Sequence, residues 1–407
     1  MIDYSKILNP AVTEIKPSGI RKFFDIAATM DDVISLGVGE PDFQTPWQIR
    51  KAGINSLQQG KTKYTSNKGN DVLLKEISSY MQRKYHLNYN PKEQILVTVG
   101  GSEAIDVAIR AIVNVGDEVI IPQPSYVCYE PIVKLVGGIP VIIETKAENQ
   151  FKLTPEELKN AITPKTKALI LPYPCNPTGA IMEKQDLEAI AEVLRDTNVM
   201  VISDEIYAEL TYGGNKHVSI ASIDGMRERT ILINGFSKAF SMTGWRLGYA
   251  CGPKELLTQI TKIHQFAIMC APTVSQHAAI AAMTSCDEVV AEMVEEYDMR
   301  RRLIVNGFNK LGLTCHEPKG AFYAFPCIKS TGLSSEEFCM QLLKAKSVAV
   351  VPGNAFGDSG EGFIRVSYSF SVKHIVAVAV WQVDQYHTPS ILAKLRDTAP
   401  YARPPTP

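Results

Sequence analysis

The chain has 407 residues, of which 45% are hydrophobic and 21% are charged, and its formal net charge is −1. This composition is typical of a soluble globular enzyme, and the length predicts two or three domains. A net charge near zero offers no field to attract nucleic acid or an acidic membrane. No apolar run approaches the roughly 20 residues of a membrane-spanning helix.

The cysteines and the first residues indicate the compartment. The eight cysteines are widely separated and form no C-x-x-C pair, which favours reduced thiols over a disulfide framework or a zinc site. The opening residues, Met1 to Lys6, are too polar to begin a signal peptide. We therefore expect a cytoplasmic protein without a metal site.

The N-terminal region gives only short signals. Residues 1–32 show a weak helical pattern, and residues 33–37 form a short predicted strand. The stretch from Gly37 to Asp42 begins like a dinucleotide-binding fingerprint, but Asp42 stands where the third glycine is needed. A Rossmann-type site is therefore excluded here.

From residue 95 onward, apolar strands alternate with helices. The predicted strands are 95–99, 118–121, 141–144, 168–171, 199–203, 230–233 and 247–251. The predicted helices are 47–58, 72–85, 102–114, 125–135, 155–162 and 184–195. Such alternation is typical of a mainly parallel sheet covered by helices on both faces. The sequence predicts an α/β large domain over residues 46–285.

The pattern changes after a long predicted helix at residues 287–311. The later predicted strands are 313–316, 321–325, 348–351 and 363–368. They predict a smaller α+β domain formed by residues 286–388 together with residues 1–45. Residues 389–407 are rich in proline, and we expect them to be a disordered tail.

A lysine follows one of the buried strands. Ligands of open α/β sheets bind beyond the carboxyl ends of the strands. Lys238 comes three residues after Gly235, which ends the strand at 230–233. A lysine that loses hydration there becomes a nucleophilic amine able to form a Schiff base, whereas the alternative is a solvated surface lysine. Arg246, eight residues further on, could bind a phosphate with its planar guanidinium.

Two other strand ends suit a flat, phosphorylated ligand. Gly100, Gly101 and Ser102 open a helix whose free N–H groups favour an anion, although a plain turn is the alternative. Tyr126 follows the strand at 118–121 and could stack on a ring or simply pack in the core.

Polar side chains also follow the next two strands. Asn176 lies in a proline-rich loop after the strand at 168–171, where a simple turn is the alternative. Asp204 ends the strand at 199–203 and could pair with a protonated ring nitrogen or cap a helix. Tyr207, three residues on, could donate a hydrogen bond to the same ring.

Together these motifs resemble the class I/II aminotransferase family of fold-type-I pyridoxal phosphate enzymes. The resemblance extends from about Ile34 to Ser371. It is carried by Ser203-Asp-Glu-Ile-Tyr207, Ser237-Lys238, Met242-Thr-Gly-Trp-Arg246, Asn176-Pro-Thr-Gly179 and Phe363-Ile-Arg-Val-Ser367. It implies pyridoxal 5'-phosphate as the cofactor.

The resemblance also implies a role for each residue. Lys238 would hold the cofactor covalently, Asp204 would pair with the pyridine nitrogen, and Tyr207 and Asn176 would bond the ring's 3-oxygen. The remaining cofactor contacts would be Tyr126 on the ring and Gly101, Ser102, Ser237, Arg246 and Tyr64 on the phosphate. Tyr64 would act in the neighbouring subunit, which implies a homodimer with shared sites.

Substrate binding is implied for Arg365, Asn176 and Gly39. Arg365 matches the receptor of the α-carboxylate, with a solvent-facing arginine on an edge strand as the alternative. Gly39 sits in the loop that would close over the substrate. The chain departs from many relatives at Gly235, where they have a phosphate-binding serine, and in residues 376–381, which lack the charged pattern of the family's last helix.

The function implied is transfer of an amino group from an L-amino acid to a 2-oxo acid, with 2-oxoglutarate as the expected acceptor, by a ping-pong mechanism. One alternative is a carbon–sulfur β-lyase on the same fold. Another is a nucleotide-binding module without catalysis, which no P-loop or complete fingerprint supports.

The donor's side chain is predicted from the absence of a fixed cation. Aspartate-directed relatives often carry a basic residue where this chain has Ser102. The other basic candidate is Arg21, whose neighbours Ile20, Phe23 and Phe24 could line an apolar pocket. We predict a broad, neutral or aromatic-leaning donor range, with aspartate as the alternative.

Overall fold

The computed structural model describes residues 2–17, 30, 32–372 and 374–375. Its strands are β1 Ile34–Ser35, β2 Ile95–Thr98, β3 Glu118–Gln123, β4 Ile139–Glu144, β5 Thr166–Leu171, β6 Met200–Asp204, β7 Thr230–Gly235, β8 Gly248–Cys251, β9 Tyr323–Ala324, β10 Val348–Ala349, β11 Val351–Pro352 and β12 Ile364–Ser367. Its helices are α1 Pro10–Thr13, α2 Trp47–Gln58, α3 Asp71–Tyr85, α4 Gly100–Ile112, α5 Tyr129–Leu135, α6 Pro155–Ala161, α7 Lys184–Leu194, α8 Lys254–Ala267, α9 Thr273–Ser285, α10 Asp287–Lys310 and α11 Ser335–Lys346.

The central sheet confirms the predicted α/β fold. Within the described residues it has seven strands in the order β2-β8-β7-β6-β5-β3-β4. The pairs β7–β6, β6–β5, β5–β3 and β3–β4 are parallel, and β8 runs antiparallel to both of its neighbours. The carboxyl ends of β2, β3, β5, β6 and β7 therefore meet at one edge of the sheet, and β8 begins there.

Both faces of this sheet are buried, as continuous apolar strands require. Ile170 and Ile202 pack in one cluster that contains apolar residues of α4 and α8. Leu169, Leu171 and Val201 point to the opposite face and pack in a second cluster with residues of α7. Because side chains alternate along a strand, each strand contributes to both layers.

In the described part of the chain, two small sheets lie outside the central one. β1 pairs with β10 in parallel, and β12 lies between β11 and β9 with antiparallel pairing on both sides. The pairing of β1 with β10 is consistent with the expectation that residues 1–45 join residues 286–388, and that division of the chain stays a prediction. The expected tail at 389–407 and the stretch 376–381 lie outside the described residues.

The predicted strand at residues 313–316 is wrong. Leu313 and Cys315 are both buried, which produces an alternating pattern in the sequence. The Cys315 N–H donates to Asn309 Oδ1 at 2.9 Å, however, and the Thr314 carbonyl accepts from the Cys327 N–H at 2.8 Å. The segment is therefore anchored to α10 and to a loop, without a ladder of strand pairing.

None of the helices among the described residues is both long enough and apolar enough to cross a lipid bilayer.

Candidate active site

A cavity of about 750 Å³ lies at the carboxyl edge of the central sheet. The cofactor and substrate residues that the resemblance implies line it, with the exception of Tyr64: Gly39, Gly101, Ser102, Tyr126, Asn176, Asp204, Tyr207, Ser237, Lys238, Arg246 and Arg365. The side chain of Tyr64 is 81% exposed and lines a separate surface pocket. The structure therefore gathers the residues that follow five strands into one site and leaves Tyr64 outside it.

Lys238 faces this cavity from the turn after β7. Its Nζ donates a hydrogen bond to the Gly39 carbonyl oxygen at 2.7 Å. Burial, followed by the charge of Arg365, lowers the pKa of Lys238 from 10.5 to about 8. The lysine is therefore not a solvated surface group, and about a tenth of it is a neutral, nucleophilic amine at pH 7.

The lowered pKa makes a prediction about stability. Below pH 8 both the folded and the unfolded chain hold the Lys238 proton, so the folded state bears the full cost of a desolvated cation. As the pH rises toward 10.5 the folded state releases that proton first, and the cost falls. We expect Lys238→Met to raise the free energy of unfolding of the ligand-free protein at pH 7 by up to about 3 kcal/mol, and by less at pH 10. Urea titrations at both pH values would measure this, and a difference that does not change with pH would contradict it.

Asp204 is the last residue of β6 and is buried beside the cavity. Its Oδ2 accepts a hydrogen bond from the Tyr129 hydroxyl at 2.7 Å, and its Oδ1 accepts from the Ile206 N–H at 3.2 Å. Burial raises its pKa, whereas these two hydrogen bonds oppose the rise. The hydrogen bond from the Ile206 N–H makes Asp204 the first residue of a turn. This role partly agrees with the alternative in which Asp204 caps a helix. The carboxylate also reaches the cavity, where a bound cation would stabilise its charge.

An anion cradle forms where β2 ends and β8 begins. Helix α4 starts at Gly100 with no side-chain cap on its first N–H groups, and Ser102 and Arg246 line the cavity beside it. A Cβ on Gly248 would lie 2.7 Å from the backbone of Gly100 and Gly101, and one on Gly100 would lie 2.7 Å from Arg246 Nη2. Only glycine at these two positions lets the backbone of β8 and the Arg246 guanidinium come so close to the start of α4. The first N–H groups of α4 and Arg246 therefore lie near one another, as an anion site requires.

The same packing accounts for Gly235, where a serine stands in many relatives. Gly235 pairs with Gly248 between β7 and β8, and a Cβ on Gly235 would lie 2.9 Å from the Gly248 Cα. A serine would push these two strands apart. Ser237 is buried and lines the cavity on the same turn, so it offers a hydroxyl that residue 235 cannot.

Arg365 occupies the middle strand of its small sheet and is only 3% exposed. Its Nη1 donates to Asn176 Oδ1 at 2.9 Å, its Nη2 donates to the Gly37 carbonyl, and its Nε has no hydrogen-bond partner among the described residues. The alternative of a solvent-facing arginine is therefore wrong. A buried guanidinium without a carboxylate partner in the described chain is suited to receive an anionic ligand.

Tyr207 and Tyr126 contribute aromatic rings to the lining of the cavity. The Tyr207 hydroxyl lies 2.7 Å from the hydroxyl of Tyr323, and both tyrosines are buried. The Tyr126 ring meets the Tyr129 ring edge to face, with 5.9 Å between centroids, and it lines the cavity.

The loop that contains Gly39 closes another side. Glu40 accepts a hydrogen bond from the Thr243 hydroxyl, and Asp42 pairs with Arg300 at 2.8 Å. These contacts fix the loop on the carboxyl-terminal side of Gly39, whose carbonyl oxygen accepts a hydrogen bond from Lys238.

Sequence reasoning missed Tyr129, Tyr323 and Thr243. Tyr129 lies three residues after Tyr126, a spacing that places both on one side of a helical turn and could have indicated it. Tyr323 is embedded in the apolar run from Ala321 to Phe325, so nothing in the pattern separates it from a core residue.

Four charged side chains line the cavity among the described residues: Asp204, Lys238, Arg246 and Arg365. Arg21 and its apolar neighbours lie outside the described residues, so the structure does not place them. Arg246 in the anion cradle, the Lys238 amine and the Asp204 carboxylate suit a ligand that carries a phosphate, a carbonyl group and a basic ring. Arg365 suits a second molecule that carries a carboxylate.

The comparisons with known proteins agree on one family. The profile described as "Aminotransferase class I and II" matches residues 31–378. YugH of Bacillus subtilis (strain 168), named as an aminotransferase, is 54% identical over 90% of this chain and 95% of its own length. The aspartate aminotransferase of Pyrococcus abyssi (strain GE5 / Orsay) is 47% identical over 87% of this chain and 92% of its own. The crystal structure of the aromatic aminotransferase from Pyrococcus horikoshii OT3 covers 92% of this chain and 97% of its own, with a TM-score of 0.84 and 41% identity.

Proposed function

Since the chain belongs to the class I and II aminotransferase family, we propose that this transaminase binds pyridoxal 5'-phosphate in the cavity and moves the amino group of a neutral or aromatic L-amino acid to a 2-oxo acid. The observation that carries the proposal is the position of Lys238. Its amine has a lowered pKa and lies in one cavity with a buried carboxylate, an anion cradle and a buried arginine.

The residues present fit pyridoxal phosphate, the cofactor that this family uses. The cradle of Gly101, Ser102 and Arg246 would hold the phosphate, with Ser237 as a further hydroxyl donor. The glycine contacts support this cradle, because a Cβ on Gly248 would collide with the backbone of Gly100 and Gly101, and one on Gly100 would collide with Arg246. Tyr126 would lie against the ring.

The ring's polar atoms would meet three side chains. Asp204 would pair with the pyridine nitrogen, because an opposite charge at contact stabilises the protonated ring and also the buried carboxylate. Tyr207 and Asn176 would bond the 3-oxygen. The Asn176 Oδ1 accepts from Arg365, which leaves its amide N–H₂ group free to donate.

The substrate would be oriented by Arg365. Its unpartnered Nε and its Nη2 would receive the α-carboxylate, and the contact with the Gly37 carbonyl would be exchanged for the stronger charge-assisted one. Gly39 would lie beside the same carboxylate, on the loop that the pairs Glu40–Thr243 and Asp42–Arg300 fix in place.

The chemistry that the chain itself would perform is the transfer of a proton between two carbons. When bound, pyridoxal phosphate supplies the aldehyde that takes the amino group and a ring that takes up electrons. Lys238, released as a neutral amine, would remove the proton from the substrate Cα and deliver it to the cofactor's aldehyde carbon. A second 2-oxo acid would then accept the amino group by the reverse path, which is a ping-pong mechanism.

The donor range is proposed from the charges that line the cavity. Among the described residues, each of the three cations in the wall already has a proposed role: Lys238, Arg246 and Arg365. The position after the paired glycines is Ser102, and the remaining wall includes Val38 and Val127. A distal carboxylate in this wall would be left without a fixed cation, which costs several kcal/mol in a dry site. We retain 2-oxoglutarate as the proposed acceptor on the family's resemblance alone.

A panel of amino donors with 2-oxoglutarate tests this range. We expect tyrosine, phenylalanine, methionine and leucine to be used with catalytic efficiencies within about tenfold of one another, since an apolar wall discriminates weakly. Efficiencies would be obtained from initial rates of 2-oxo acid formation. Aspartate exceeding all four by about a hundredfold, or about 2.7 kcal/mol, would mean that a cation outside the described residues receives its distal carboxylate.

The assembly is proposed to be a homodimer with shared active sites. Tyr64 is 81% exposed and stands outside the cavity of its own chain, as expected of a residue lent to a neighbour. Trp47 and Phe266 are also exposed, at 57% and 87%, although large aromatic side chains usually gain by burial. Sedimentation analysis of the purified protein would measure the mass, and a monomer would contradict the proposal. We propose a cytoplasmic location on the grounds given by the sequence.

A further inference from the structure

Two phenol groups share one hydrogen bond at the floor of the cavity. The hydroxyl oxygens of Tyr207 and Tyr323 are 2.7 Å apart, and the two rings meet edge to face with 5.8 Å between centroids. Each side chain is at most 5% exposed, and each lines the cavity. Neither hydroxyl has another hydrogen-bond partner among the described residues, so one of the two must donate to the other.

The surrounding charge indicates which phenol donates. The guanidinium carbon of Arg365 lies 4.6 Å from the centroid of the Tyr323 ring. Among the described residues, the cation nearest to the Tyr207 ring is Lys238, whose Nζ is 5.9 Å from the centroid. Burial raises the pKa of both phenols. Arg365 opposes that rise for both phenols, but it lies closer to Tyr323, and the pKa of Tyr323 is raised less than that of Tyr207. Tyr323 is therefore the stronger acid and the better donor.

The direction of this bond determines what Tyr207 can offer a ligand. If Tyr207 donates to Tyr323, its oxygen can only accept a hydrogen bond from the cavity. If Tyr323 donates to Tyr207, the Tyr207 proton is free to point into the cavity. The cofactor's 3-oxygen carries negative charge and needs a donor.

We propose that Tyr323 is a positioning residue that donates to the Tyr207 hydroxyl, thereby directing the Tyr207 proton to the 3-oxygen of the cofactor and strengthening that hydrogen bond. The inference rests on the proposed function, because it takes the role of Tyr207 from there. A purely structural role for Tyr323 would be to fill the space beside Gly39, where an added Cβ would collide with the Tyr323 hydroxyl.

The test is the pH dependence of the absorbance of bound pyridoxal phosphate, measured without substrates. A hydrogen bond to the 3-oxygen weakens that oxygen's hold on the proton it shares with the nitrogen of Lys238, so losing the bond moves the transition to higher pH. We expect Tyr207→Phe to raise the midpoint and Tyr323→Phe to raise it by about a third as much, because Tyr323 acts by polarising Tyr207. The double variant should match Tyr207→Phe alone.

Tyr368→Phe is the matched control. Tyr368 is equally buried, and its hydroxyl donates to the Ala321 carbonyl at 3.2 Å, away from the cavity. We expect its midpoint to equal that of the wild type. A second probe, 3-fluorotyrosine at position 323, makes that phenol more acidic while keeping its shape, and it should move the midpoint to lower pH.

The outcomes separate the two proposals. A wild-type protein that binds no pyridoxal phosphate would contradict the proposed function and this inference with it. The inference would be overturned if the midpoint shifted in Tyr207→Phe but stayed at its wild-type value both in Tyr323→Phe and in the protein with 3-fluorotyrosine at position 323. That result would leave the proposed function standing. Additive shifts in the double variant would also overturn it, because Tyr323 would then act independently of Tyr207.

Discussion

Replacing Lys238 with alanine should abolish transamination while leaving the fold intact. Its Nζ has a lowered pKa and lines the same cavity as Asp204 and Arg365. A positioned general base contributes about 10²–10⁴-fold to a rate, and the loss of the covalent attachment adds to that. We therefore expect the turnover number to fall by at least this factor. The absorbance band of the lysine-linked cofactor should disappear as well.

The control for this variant is a surface lysine. Lys254 pairs with Glu93 at 2.6 Å, and its side chain is 57% exposed, so Lys254→Ala should retain wild-type turnover. Far-ultraviolet circular dichroism of both variants would verify the fold. Turnover by Lys238→Ala close to that of the wild type would end the proposed role of the lysine.

Replacing Arg365 with lysine should weaken the binding of both substrates. The guanidinium bridges Asn176 and the Gly37 carbonyl and keeps Nε free, a geometry that a single ammonium group cannot reproduce. Hydrogen bonds to charged groups contribute about 1.5–3 kcal/mol each. Losing one of them corresponds to a rise of about 10- to 150-fold in the Michaelis constant of the amino acid and also of the 2-oxo acid.

A second buried arginine serves as the control for that variant. Arg301 is 4% exposed, pairs with Asp298 at 2.7 Å and lies outside the cavity wall. Arg301→Lys should leave both Michaelis constants unchanged even if it lowers stability. Unchanged constants in Arg365→Lys would place the carboxylate receptor elsewhere.

The central sheet and most of the cavity wall were predictable from the sequence, for one physical reason. A charged residue beside the end of a buried apolar strand is costly unless it has a partner. Asp204 and Lys238, which follow strands, and Arg246, which precedes one, are therefore conspicuous in a single sequence. The alternation of apolar strands with helices then places them at one edge.

Other residues could not be predicted because their signal depends on three-dimensional contacts. Tyr323 lies within an apolar run, and only its 2.7 Å approach to the Tyr207 hydroxyl distinguishes it from a core side chain. The strand predicted at residues 313–316 shows the opposite error, since alternating burial occurs there without strand pairing. The contact between Gly235 and Gly248 crosses two strands and has no local pattern.

A half-reaction of the loaded enzyme tests the central claim most directly. The protein is saturated with pyridoxal phosphate, freed of excess cofactor and mixed with tyrosine in the absence of any 2-oxo acid. A transaminase that uses Lys238 as its base should release the matching 2-oxo acid in a single turnover, retain the amino group on the cofactor and resume only when 2-oxoglutarate is added. Repeated turnover that releases ammonia without an acceptor, or pyruvate and ammonia from cysteine, would contradict this account and favour a lyase.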